Sequence, residues 1–200
     1  MCGPSDSVTA LLYGAAGGMP AMRPLETSGY RRARAESAMI WTYCEQWNNL
    51  TEAPMNSLTP EQAQARHASG ELYTAVASAD EHSTPALRVE MRLETGYATV
   101  IFMDEHGRDS LDYTFTLIDG SLFLETATSY DYGGSEERGG YADAQRTESY
   151  EFTTEGTIRR TVEVDGEESR ESRHGIDVAG NWESVPDFGT YDTLIRHDRT

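Results

Sequence analysis

Seven carboxylates fall on stretches that alternate like β-strands: Glu90, Glu94, Asp112, Glu125, Glu148, Glu151 and Glu163. Gathered inside a barrel and away from water, one of them would be driven towards its neutral form and could act as a base, with a tyrosine as the acid. The alternation opposes this for the first strands, because it turns Leu, Val, Tyr and Phe inward and the acids outward. The acid pairs Asp104-Glu105, Glu136-Glu137 and Glu167-Glu168 lie in turns or loops. Neighbours in an extended chain point to opposite faces, so these pairs do not form a proton-sharing dyad. The five histidines, His67, His82, His106, His174 and His197, have no spacing that sets two of them on one face as metal ligands. No metal or cofactor is expected. The doublets Gly133-Gly134 and Gly139-Gly140 are flanked by Glu136, Glu137 and Asp143, whose charge repels phosphate, and no nucleophile-elbow motif occurs.

Two segments mix aromatic rings with acids. Gly180 to Tyr191 interleaves Trp182, Phe188 and Tyr191 with Glu183 and Asp187, and Tyr130 to Asp143 combines Tyr132 and Tyr141 with Glu136 and Glu137. Aromatic anchors ringed by carboxylates suit a contact surface for a basic protein. The candidate binding residues are therefore Tyr132, Glu136, Glu137, Tyr141, Trp182, Glu183, Asp187 and Tyr191.

Charge supports the same idea. The 200 residues carry 34 acids against 16 basic residues, all of them arginine, for a formal charge of -18. Residues 1–85 contribute -4 and residues 86–200 contribute -14. Such a field keeps a protein dispersed and repels nucleic acid and anionic lipid, while it steers a basic protein inward. No uninterrupted apolar stretch approaches the length of a membrane span.

Cys2 and Cys44 cannot build a disulfide framework, which fits a reducing, cytoplasmic setting. Met1-Cys2-Gly3 is similar to the opening of glutamine amidotransferases with an N-terminal nucleophile, but over three residues only. Pro4-Ser5-Asp6-Ser7 reads as a turn where such an enzyme implies a strand. Cys2 could alternatively carry the lipid of an exported lipoprotein. Cys44 is expected to be a buried filler.

Glycine, alanine and proline make residues 1–27 a flexible arm ahead of a single domain, 28–200. Tyr30, Ala33, Ser37, Ile40, Trp41, Cys44 and Trp47 recur at helical steps, which predicts a helix from Ser28 to about Asn48. Thr59-Pro60-Glu61-Gln62 is a capping box with proline at the first helical position, so a second helix is predicted from there to about Asp80. From Ala86 the period becomes two. Glycine turns, among them Asp119-Gly120 and Asp165-Gly166, punctuate a meander that ends with a strand from Tyr191 to His197. The expected fold is α+β: two N-terminal helices (28–82) packed on a meandering antiparallel sheet (86–198) of about eight strands, strongly curved or barrel-like.

The leading functional expectation is a non-enzymatic acidic binding protein, an inhibitor or immunity-type partner of a basic protein. Two alternatives stand beside it: a small-molecule-binding β-barrel, which as an enzyme would use a buried carboxylate and a tyrosine, and a lipid-anchored exported binding protein.

Overall fold

A computed structural model describes residues 39–49, 51, 53–80, 83–137 and 140–196. The arm expected over 1–27, with Cys2, lies outside them. The described residues form one antiparallel sheet of eleven strands: β1 (Ile40–Asn48), β2 (Ala53–Leu58), β3 (Tyr73–Ser78), β4 (Leu87–Arg92), β5 (Tyr97–Met103), β6 (Asp109–Ile118), β7 (Ser121–Asp131), β8 (Arg146–Phe152), β9 (Ile158–Val164), β10 (Glu167–Arg173) and β11 (Trp182–Ser184). Its order is β10-β9-β8-β7-β6-β5-β4-β3-β1-β2, with β11 added beside β7. The path ends at β2 and β10, so the sheet is open, and the barrel-like closure expected from the meander does not occur. No helix among the described residues is long and apolar enough to cross a membrane.

The expectation of two N-terminal helices is corrected. One α-helix, α1 (Pro60–Ser69), stands among the described residues. Ile40 to Asn48, given above to a helix, is β1, paired with β3 from Ile40↔Ser78 to Cys44↔Thr74. Its branched and aromatic side chains suit a pleated, half-buried surface, and sheet pairing overrides the helical spacing. The second helix starts as expected: the Thr59 side chain accepts from Gln62 N, and Gln62 Oε1 accepts from Thr59 N at 2.8 Å. It stops at Gly70, which is left-handed at φ 82°. Tyr73 to Ser78 then becomes β3, although alanine favours helix, because Tyr73, Ala75 and Ala77 all turn into the core. The expected last strand is also absent. Tyr191 to Ile195 is a turn, in which the amides of Leu194 and Ile195 both donate to Tyr191 O.

One face of the sheet carries the apolar core: Leu87, Val89 and Met91 of β4, Val100 and Phe102 of β5, and Leu111, Tyr113 and Phe115 of β6. Ala63 of α1 and the C-terminal residues Tyr191, Leu194 and Ile195 close over it. Tyr191 is fixed by its hydroxyl, 3.0 Å from that of Tyr73, and by its ring, 4.9 Å from that of Trp41. Strand β7 makes room for this closure. Its second half pairs with β8, from Thr126↔Glu151 to Asp131↔Arg146, whereas its first three residues pair with β11. The Asp-Gly turns hold the left-handed angles their sequence calls for, with φ 50° and 83° at Asp119-Gly120.

Both sheet edges are guarded. Pro54 removes one donor from β2, and β10 reads Glu-Glu-Ser-Arg-Glu-Ser-Arg. Charge and proline on an edge discourage pairing with a second chain.

A β-carbon at Gly70 would lie 2.8 Å from Glu94 N, whose amide donates to Gly70 O, whereas one at Gly120, equally left-handed, would meet nothing within 4 Å. Gly70→Ala is therefore expected to cost about 1–3 kcal/mol in urea unfolding, and more than Gly120→Ala. Equal midpoints for the two variants would contradict the close packing of the helix end on the β4–β5 connection.

Candidate functional site

The second face of the central strands is polar and nevertheless buried. Two cross-strand rows run through it. Register places Thr74 of β3, Glu90 of β4, Thr99 of β5 and Thr114 of β6 side by side, and next to them Val76, Arg88, Ile101 and Asp112. Arg88 is only 1% exposed and Thr99 5%. Ile101 and Met103 are buried on the same side, so β5 has no solvent face in this region.

A guanidinium this deep requires partners. Arg88 Nη1 donates to Asn49 Oδ1 at 2.7 Å, Nη2 donates to Asp109 Oδ1 at 3.1 Å, and the group lies 5.4 Å from the centre of the Trp47 ring. The end of β1, the middle of β4 and the start of β6 are thus tied through one side chain. Beyond Ile101, Asp112 Oδ2 accepts from the Tyr130 hydroxyl at 3.1 Å.

Three acids, Glu90, Asp109 and Asp112, share the field of this single arginine. Burial, reinforced by the charge of Asp109, pushes the Asp112 carboxyl up to about 7, against the hydrogen bond from Tyr130 and the attraction of Arg88. Burial likewise raises Glu90 and the Tyr130 hydroxyl. Asp112 is thus placed to hold or release a proton near neutral pH, while Tyr130 stays a neutral phenol that donates to it.

Several buried polar atoms of this face have no partner among the described residues. They include two donors, Trp47 Nε1 and Arg88 Nε, and one acceptor, Asp112 Oδ1. The hydroxyls of Thr74 and Thr99 also lack a well-formed hydrogen bond, with the Cys44 thiol and the Tyr97 hydroxyl as their polar neighbours. An unmade hydrogen bond in a buried site costs about 1–3 kcal/mol, so such groups normally meet water or a ligand.

The eight aromatic and acidic candidates do not gather on this face: six lie towards the two ends of β7, Tyr191 is in the core and Asp187 is exposed in the chain between. Tyr132, Glu136, Glu137 and Tyr141 follow its last residue, Asp131, whereas Trp182 and Glu183 pair beside its first residues. Eight to nine residues of strand, about 26–30 Å, separate the two groups, so they do not form one surface. Tyr132 is buried, donates to Asp109 O at 2.8 Å and supports Arg108, 4.1 Å from its ring centre. Arg108 in turn donates to the carbonyls of Ser135 and Glu137 and to Asp104 Oδ2, which ties residues 135–137 to the β5–β6 turn. Glu136 and Glu137 are exposed, and Tyr141 is 61% exposed beside Tyr130. Trp182 packs on Phe123, Glu183 accepts from Arg196 at 2.9 Å, Asp187 is exposed, and Tyr191 belongs to the core.

The acids of β8 to β10 are largely matched by arginines on the strands themselves. Glu148 meets Arg146 and Arg160, Glu171 meets Arg160, Glu151 meets Arg159, and Glu168 meets Arg170. Partial burial would raise Glu148, but hydrogen bonds from Arg160, Tyr150 and Arg146 outweigh it and hold the carboxyl at about 2. An open depression of about 270 Å³ lies between β1, β2 and the end of α1, and its arginines are likewise paired, Arg66 with Glu45 and Glu71, and Arg92 with Glu94.

Comparison of the chain with protein-family models, with curated proteins and with solved structures gave no match. The polar face is thus weighed on its own chemistry.

Asp112 has a folded-state pKa above its unfolded value of 3.8, so the unfolded chain binds fewer protons between about pH 4 and 7 and stability falls as pH rises through that window. Asp112→Asn keeps the shape and removes the proton. Its urea-unfolding free energy is expected to exceed that of the parent by a few kcal/mol at pH 8, with the gap closing towards pH 4. Parallel pH profiles for the two proteins would show that Asp112 is not held protonated. Arg88→Met leaves Asp109 without its buried guanidinium and is expected to destabilise by about 3–5 kcal/mol in the same assay.

Proposed function

We propose that the protein binds a small polar molecule against the buried polar face of its sheet. One observation carries this reading: Trp47 Nε1, Arg88 Nε and Asp112 Oδ1 are buried on the same face and have no partner among the described residues. A small molecule that supplies an acceptor to the first two and a donor to the third would satisfy groups whose desolvation is otherwise uncompensated. The surrounding side chains are set in a sheet and are held by Asn49, Asp109 and Tyr130, so the site is formed before the ligand arrives. Asp112 and Tyr130 bind and orient in this reading, and no bond-making step is required of them.

A second reading, an acidic protein that docks on a basic protein partner, is favoured by the loop after β7. Its exposed Glu136 and Glu137 are carried on a backbone that Arg108 holds at Ser135 and Glu137, and the exposed ring of Tyr141 lies beside Tyr130. The partner would be drawn in by charge and released by salt.

Native mass spectrometry of the protein isolated from its own source, at low salt and again at about 0.5 M salt, separates the two readings. The expected result is a mass excess of a few hundred daltons at most that survives both conditions and is missing from Arg88→Met and Asp112→Asn. A bare chain in every preparation would overturn the small-molecule reading. A basic protein present at low salt and lost at high salt, with no small adduct, would replace it with the docking reading.

A further inference from the structure

The polar face also indicates what kind of molecule it takes. This step rests on the small-molecule reading above and narrows it. The charges that share the face are Arg88 against Glu90, Asp109 and Asp112, an excess of acid. Asp109 is already matched to Arg88 through their 3.1 Å contact. The second oxygen of Asp112 has no partner among the described residues, since the Tyr130 hydroxyl occupies only the first. A positive group is the natural complement of that oxygen, and the aromatic rings of Trp47, Tyr97 and Tyr130 around the acids are surfaces on which a cation is well received. At the other end of the face the unmet groups are donors, Trp47 Nε1 and Arg88 Nε, and they call for an acceptor. An anionic acceptor would add to the existing excess of negative charge, whereas a neutral carbonyl or hydroxyl oxygen would not.

We propose that the occupant is a small organic cation with a neutral acceptor at its far end, its ammonium group seated on Asp112 and its acceptor facing Trp47 and Arg88. Arg88 and Asp112 stand on either side of Ile101, two strand spacings or roughly 9–10 Å apart at the backbone. With a hydrogen bond at each end, the register calls for a short chain of a few carbons.

Four molecules of that length isolate the charge: 4-aminobutanamide (cation with neutral acceptor), 4-aminobutyrate (zwitterion), butanamide (neutral) and butyrate (anion). Each is titrated into the full chain while the indole N–H resonance of Trp47, assigned with Trp47→Phe, is followed by NMR. The expected outcome is saturable movement of that resonance by 4-aminobutanamide, on the order of millimolar for so few atoms. Butanamide and butyrate should bind at least about tenfold more weakly, as loss of a charged hydrogen bond requires. Asp112→Asn should lower the affinity for 4-aminobutanamide by about tenfold and leave that for butanamide unchanged. Glu90→Gln, which keeps the Asp112–Tyr130 bond, should lower it as well, and serves if the first variant does not fold.

Affinity for the cation should rise from pH 6 to pH 8, because Asp112, facing Asp109, Glu90, Arg88, Tyr130, Tyr132 and Tyr97, must lose its proton to pair. Equal or tighter binding of butyrate or butanamide, or affinity that ignores pH, would overturn the cation while leaving a small-molecule site in place. No movement with any of the four overturns the cation proposal, and the small-molecule reading falls with it only if the isolated protein is also bare by mass.

Discussion

A charged side chain can be sealed inside a sheet only if its surroundings are arranged for it, and Arg88 imposes that condition on this protein. The cost of removing a guanidinium from water is met by Asp109, by the Asn49 amide oxygen and by the face of the Trp47 ring. They come from two distant parts of the chain, the end of β1 and the start of β6, so the register of β4 against β5 and β6 and the course of β1 after Cys44 are all bound to one group. The opposite face has no such demand. It is filled by aliphatic and aromatic side chains and covered by α1 and the C-terminal turn, and it supplies the apolar burial that holds the charged layer in place. The two faces divide the work: one supplies apolar burial, and the other holds buried polar atoms that have no partner among the described residues.

How much of this can be read from the amino-acid sequence differs between the two halves of the chain. After Ala86 the period of two, the glycines and the Asp-Gly pairs mark the meander well, since local turn chemistry and sheet pairing agree there. Before it they compete. Tyr30 to Trp47 satisfies a helical spacing, yet Ile40 to Cys44 is an ordinary strand sequence and finds β3 to pair with. In Tyr73 to Ser78 the alanines argue for helix one residue at a time, and the sheet, which needs small side chains beneath α1 and the C-terminal turn, decides otherwise.

The polar face was legible in part. Asp112 and Glu90 stand out as strand carboxylates, but simple alternation turns them towards water. The signal against that assignment is β5, where Tyr97 to Met103 is apolar or small at nearly every position and does not alternate. Such a run marks a strand buried on both sides, and the residues paired with it must then be buried too, acids included. The aromatic and acidic segments carry the opposite lesson. Tyr132 and Tyr191 look like anchors for a partner, and each is an anchor for the chain itself, Tyr132 beneath Arg108 and Tyr191 against Tyr73.

The closure of the core by Tyr191 to Ile195 has a bearing on how the chain is made. Strands β3 to β10 pair with their neighbours in sequence, so most of the sheet can zip as it emerges from the ribosome. The hydroxyl contact between Tyr73 and Tyr191 spans 118 residues and cannot form until nearly all of the described chain has been synthesised. During that interval the apolar face of the nascent sheet stands open, while the charges of β10 are already in place along its edge. The proline and the charged edge strand then act as chaperoning features written into the sequence, keeping a half-finished sheet from joining another before its own last turn arrives.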